Sequence, residues 1–132
     1  MFEGCTSLVS VSILPAKVLK DHCYYRMFYG CTSLVNAPAL PATTLASSCY
    51  ANMFNGCTTL TSAPILPAAI LIDDCYTYMF YNCTKINFIK TNQTSFDGCS
   101  NWVNGVASSG TFICPDSLGT NATISRGVSA CP

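Results

Sequence analysis

The feature that most constrains this chain is that it writes one segment several times over. Residues 23–42 read CYYRMFYGCTSLVNAPALPA, residues 49–68 read CYANMFNGCTTLTSAPILPA, and a further copy opens at Cys75 with CYTYMFYNCTKI. The interval is 26 residues, with copies at 1–26, 27–52 and 53–78 and a shortened one at 79–94. A fixed period of this length means one structural unit built repeatedly. Each unit is too small to bury its apolar side alone and must lay it against its neighbour. After Thr94, the stretch SFDGCSNW restarts the motif with Ser95 in the methionine slot, followed by Phe96, Gly98 and Cys99. Residues 1–94 are therefore expected to form the repeat region, and 95–132 a partial last repeat with a C-terminal cap.

Comparing the copies separates core from surface. Slots that stay apolar are Phe2/Phe28/Phe54/Phe80, Leu8/Leu34/Leu60/Ile86, Leu14/Leu40/Leu66 and Leu19/Leu45/Leu71. Gly4, Gly30 and Gly56 hold a turn slot in which Asn82 is tolerated, since Asn also accepts positive φ. Pro15, Pro41 and Pro67 follow a leucine and cannot donate to a ladder, so a strand must end there. The pattern predicts short strands at 7–11, 33–37 and 59–63, paired side by side as a parallel sheet. It predicts a loose helical or 3₁₀ turn on the other side, over 42–50. The architecture expected is a leucine-rich-repeat solenoid with 26-residue coils.

Charge narrows the partners. Only 9% of residues are charged, and six basic side chains balance six acidic ones. Nothing in that balance favours nucleic acid or an anionic membrane. No apolar run approaches the roughly 20 residues of a membrane helix. Met1 stands in the slot of Met27, Met53 and Met79, so the chain reads as a piece of a longer array or as a mature product without its leader.

The stretch MFYGCTSLVNAPALPATTLASSCY resembles the BspA-like leucine-rich repeats of Bacteroidetes surface proteins, found also in phages and protists. The resemblance covers residues 1–90, and the tail CSNWVNGVASSGTFICP is similar to segments that close such arrays. It implies a cell-surface or secreted binding scaffold, an adhesin, with no catalytic residues and no cofactor. The absent Leu-Pro and Cys-Tyr half of the fourth copy departs from the pattern and implies a smaller coil there.

Ten cysteines are the loudest residue type. One column is Cys5, Cys31, Cys57, Cys83 and Cys99, a second is Cys23, Cys49 and Cys75, and Cys114 and Cys131 sit in the tail. The second column precedes the first by eight residues, which allows bridges Cys23–Cys31, Cys49–Cys57 and Cys75–Cys83. The other reading is that both columns are buried thiols acting as small hydrophobes. Zinc fails on spacing, because no Cys-x-x-Cys occurs and His22 is the single histidine.

The residues offer no catalytic arrangement. His22 lies between Asp21 and Cys23, but adjacent side chains point different ways and do not assemble nucleophile, base and orienter. No phosphate loop, dinucleotide fingerprint or nucleophile elbow is present. Three Asn-x-Thr sequons begin at Asn82, Asn92 and Asn121 and matter only in a eukaryotic secretory setting. Asp116–Ser117–Leu118 resembles a short bacterial O-glycosylation signal.

Binding is read from variation between copies. The strand face changes through Val9, Ser10, Val35, Asn36, Thr61 and Ser62, a small uncharged strip. The turn around each Met-Phe pair carries larger changes, at Tyr25, Arg26, Tyr29, Asn52, Asn55, Tyr78 and Tyr81. Tyrosine beside Asn and Arg supplies contact area at low entropic cost, as in antibody loops and carbohydrate sites. Tyr24, Tyr50 and Tyr76 do not vary and are expected to pack over the next coil with wet hydroxyls. The expectation is a non-enzymatic extracellular scaffold that binds a host protein, a glycan or a neighbouring cell. The alternatives are a self-assembling subunit stacked end to end and a phage receptor-binding component.

Overall fold

The computed structural model describes residues 1–93, 98–113 and the backbone of 121–123. Ser95, Phe96, Cys114, Cys131 and the 116–118 segment lie outside the described residues. The leucine-rich-repeat solenoid expected above is not what forms. The described residues contain no helix and only three strands, in one small sheet: β1 (Phe88–Lys90), β2 (Thr111–Ile113) and β3 (Asn121–Thr123). β1 pairs parallel with β2, Ile89 opposite Phe112, and β2 pairs antiparallel with β3, Phe112 opposite Ala122. The strands predicted at 7–11, 33–37 and 59–63 are reduced to isolated bridges, Ser10 with Asn36 and Ser62 with Phe88. Proline supplies the reason. Pro38 and Pro64 interrupt these segments one residue past the predicted strands, and each removes an N–H that a ladder would use.

The expected helical turn over 42–50 is also replaced. Residues 43–46 run without helical bonding, and Val18 bridges Thr44. From Ser47 onward the chain becomes a ribbon of overlapping turns. In the equivalent ribbon at 22–31, the N–H groups alternate strictly. Those of Cys23, Tyr25, Met27, Tyr29 and Cys31 each bond the carbonyl three residues back. Those of His22, Tyr24, Arg26, Phe28 and Gly30 bond Ser47, Cys49, Ala51, Met53 and Asn55 of the next copy. Every amide of the ribbon is thus satisfied, as buried backbone requires. The copies lie against one another in register because half of the donors face outward along the stack.

Side-chain columns fill the space between. Phe2, Phe28, Phe54 and Phe80 stack with ring centroids 5.5–5.7 Å apart, and Tyr24, Tyr50 and Tyr76 follow at 5.9–6.0 Å. These separations fall in the favourable range for offset rings. Leu34, Leu60 and Ile86 form a fully buried column, as do the sulfurs of Cys31, Cys57 and Cys83. Contrary to expectation, the Tyr76 hydroxyl is not wet. It is buried and accepts a 2.9 Å hydrogen bond from Gln93 Nε2, which also donates to the Ala68 carbonyl.

The last copy sits in a different register from the one read off the sequence. Phe80 N–H bonds the Trp102 carbonyl and Asn82 N–H the Asn104 carbonyl, where earlier copies use Met79 and Tyr81. Trp102 therefore occupies the methionine slot, Val103 the phenylalanine slot and Gly105 the glycine slot. Cys99 leaves its assigned column, and Val106 takes that place. Trp102 is wholly buried, 5.8 Å from the rings of both Tyr76 and Phe112.

Candidate functional site

The turn ribbon fixes the outward side chains by its dihedrals. In each ribbon a residue with positive φ recurs every fourth position: His22, Arg26 and Gly30 in one copy, Ser48, Asn52 and Gly56 in the next, Asp74, Tyr78 and Asn82 in the third. Each is the third residue of a hydrogen-bonded turn such as 24–27, where a type II turn needs φ above zero. Only Gly and Asn adopt that conformation cheaply; for Arg26 and Tyr78 it costs about 1–2 kcal/mol each. Residues held at such a cost often mark a working surface.

Arg26, Asn52, Tyr78 and Asn101, all at positive φ, each pair with the residue three positions on. The Arg26 guanidinium lies 4.2 Å over the Tyr29 ring and reaches Glu3 at 2.7 Å. Asn55 Nδ2 donates to Asn52 Oδ1 at 2.9 Å. Tyr78 and Tyr81 meet edge to face at 5.2 Å, and Asn104 Nδ2 donates to Asn101 Oδ1 at 3.2 Å. One pair per copy therefore runs along the stack, always three residues apart, with a different chemistry at each step. Six of the seven sequence-predicted binding residues come together here: Arg26, Tyr29, Asn52, Asn55, Tyr78 and Tyr81. Tyr25 belongs to a second row one turn earlier, its ring edge against His22 at 5.7 Å, with Thr77 bonded to Asp74 at 2.9 Å in the equivalent place. Asn101 and Asn104 were missed because the restart of the motif was placed at Ser95; the spacing of Asn101 from Gly105 matches that of Arg26 from Gly30 and could have revealed them.

Six of the eight described cysteines serve the interior, and Cys5 and Cys23 are exposed. No disulfide joins any two of the eight described, so the within-copy bridges Cys23–Cys31, Cys49–Cys57 and Cys75–Cys83 are not formed. The sulfurs face other partners: Cys31, Cys57 and Cys83 donate to the carbonyls of Phe2, Phe28 and Phe54 in the preceding copy, at 2.9–3.2 Å. Burial pushes the Cys57 thiol up to about 12 and the Cys49 thiol up to about 11. Cys75 is held protonated by its side-chain hydrogen bond with Cys99 and by burial. Such groups are poor nucleophiles, because the thiolate is the reactive form. Among the described residues, no three His, Cys, Asp or Glu side chains come together in a way that could hold a metal.

On the other face, the strip anticipated at Val35, Asn36, Thr61 and Ser62 lines a hollow of about 220 Å³. A larger open groove of about 470 Å³ adjoins it, lined by Ala37 to Pro41 of one copy and Ala63, Pro64, Ile65 and Pro67 of the next. No family model matches this chain, and neither does any curated protein or solved structure.

Proposed function

We propose that this chain is a non-enzymatic binding module displayed outside the cell, recognising a protein or glycan surface through the row of paired side chains on its turn edge. The observation that carries the reading is the row itself: one backbone slot, repeated in register, bears a guanidinium–phenol, an amide–amide, a phenol–phenol and an amide–amide pair. Each is half-exposed or exposed, and each side chain is held by its partner before any ligand arrives, which lowers the ordering cost of binding. Aromatic and Arg side chains also dominate binding energies where they are anchored. The likeness of the repeat to BspA-like surface proteins supports an extracellular setting and an adhesive role.

The test is a screen of the wild-type chain against arrays of glycans and purified surface proteins, repeated with Tyr78→Ser/Tyr81→Ser. Loss of about tenfold or more in affinity, equal to roughly 1.4 kcal/mol, with an unchanged circular dichroism spectrum is the expected result. A ligand that the double variant binds equally well, or no ligand on either array, overturns the reading.

A further inference from the structure

The second and third copies do not pair along the face where the hollow and the groove lie. Copies one and two are joined there: Leu14 N–H bonds the Ala39 carbonyl, Leu19 N–H the Thr44 carbonyl, and Ala39 N–H the Ser12 carbonyl. Copies three and four are joined as well, Ala63 N–H to the Phe88 carbonyl and Leu66 N–H to the Lys90 carbonyl. Between residues 35–46 and 61–72 there is no hydrogen bond and no β-bridge. Leu40 and Leu45 occupy the slots of Leu14 and Leu19, and their N–H groups meet nothing; Ile65 N–H, in the slot of Ala39, is likewise unmet. Pro15 faces Pro41 at the first junction too, but only here does a second proline pair join it, Pro38 against Pro64 where the first copy has Ser12, and Pro38, Pro41, Pro64 and Pro67 all line the larger groove. The opening is closed at one end by Thr59, whose hydroxyl lies 2.9 Å from the carbonyls of both Thr32 and Leu34. At the other end the turn ribbon resumes with Ser48 N–H on the Asp73 carbonyl.

We infer that the cleft between the second and third copies is a binding site for an extended, uncharged polypeptide segment of a partner protein. This surface is separate from the turn edge, and the inference stands or falls without it. Two facing backbone edges, each paired on its far side and open on the near one, offer the N–H groups of Leu40, Leu45 and Ile65 and the carbonyls between them to the backbone of an extended chain. Buried N–H groups left unpaired cost about 1–3 kcal/mol each, and an added strand relieves that cost. The walls also state what is refused. From Met27 to Ile72 the chain carries no charged side chain, so a charged guest would be desolvated against alanine, proline and isoleucine with no counterion. An oligosaccharide fits less well, because the walls hold no aromatic face for a sugar ring to stack on.

Amide hydrogen exchange on the isotope-labelled chain tests this directly. In the free chain, Leu40 and Leu45 exchange at least about tenfold faster than Leu14 and Leu19. A pool of uncharged heptapeptides of Ala, Pro, Ser, Thr and Val slows Leu40 and Leu45 about tenfold or more, and the same pool N-methylated at every second amide does not. Ile65→Asp removes the effect while the fold persists, since that side chain is 57% exposed; Val18→Asp, 63% exposed on the first copy, keeps it. Slow exchange at Leu40 and Leu45 without peptide would mean the cleft is closed, and the inference fails. It fails equally if the peptide pool gives no protection, if the N-methylated pool protects as well, or if cellohexaose protects in its place.

Discussion

At the scale of single residues, the cysteines make the sharpest statements. The sulfurs of Cys31, Cys57 and Cys83 each donate to a phenylalanine carbonyl one copy away. A thiol that ordinarily titrates near 9.0 but reaches about 12 when folded, as at Cys57, keeps its proton longer in the folded state than in the unfolded one. Between those values the folded chain binds more protons, so stability falls as pH rises through that window and is untouched below it. The melting temperature is expected to hold up to about pH 8 and to drop steeply between about 9 and 12, with Cys57→Ala giving a shallower alkaline slope from a lower starting point. Iodoacetamide at pH 8 should modify Cys5 and Cys23, the two exposed members of the described set, and should reach the six buried ones only in denaturant. Intact mass resolves both stages. The recurrence of Cys49 and Cys57 suggested a bridge between them and left buried free thiols as the other reading, which is the one the structure shows. That Cys57 would seek a carbonyl in the neighbouring copy was not readable, because spacing along a chain says nothing about which copy a side chain leans toward.

The turn ribbon sets the rules at the scale of the element. Its glycine slot is not uniformly demanding. A Cβ at Gly30 would sit 4.0 Å from the Gly4 Cα, ordinary contact, so Gly30→Ala incurs only the positive-φ cost of about 1–2 kcal/mol. At Gly105 the same atom would lie 2.7 Å from Asn82 Oδ1 and 3.2 Å from its Cα, so Gly105→Ala should cost clearly more, about 3 kcal/mol or above. Asn82→Gly should recover part of that loss in the double variant, a coupling that urea titration of the four chains measures. The sequence showed the glycine slot plainly and hid the two positive-φ slots before it. Arg26 and Tyr78 carry no turn signature, and His22, Ser48, Asn52 and Asp74 carry one too weak to read from a single copy, so the inter-copy amide bonds decide the conformation. The helical reading of 42–50 failed for a related reason: an apolar residue at wide intervals between polar ones describes an irregular extended segment as well as a helix. The parallel strands failed on Pro38 and Pro64, whose effect on a neighbouring copy is invisible within one copy.

For the whole molecule, stability is uneven from one end to the other. The first copy keeps Cys5 and Cys23 exposed and Phe2 and Leu8 only half-buried, whereas Phe54, Phe80 and Trp102 are wholly buried. The open junction between the second and third copies further loosens the first two from the rest. Unfolding in urea should therefore begin at that end, with Leu14 and Leu19 losing exchange protection at lower denaturant than Tyr78 and Phe80. The fluorescence of Trp102, the single tryptophan, should follow the later event. A single transition shared by all these probes would show the junction to be as strong as its neighbours.

The alternation of amides along each ribbon has a genetic consequence. Because every copy offers the one before it the same row of carbonyls, unequal recombination between repeats can add or remove 26 residues without leaving a mismatched seam. Excising 27–52 would set the first copy directly on the third, and Ser12 would then lie opposite Pro64 as it now lies opposite Pro38. Such a shortened allele would keep its turn edge, one rung poorer, and would lose the junction where Pro38 confronts Pro64. Copy number would then be a heritable setting that opens or shuts the cleft, and natural length variants would differ in what they hold as well as in how far they reach.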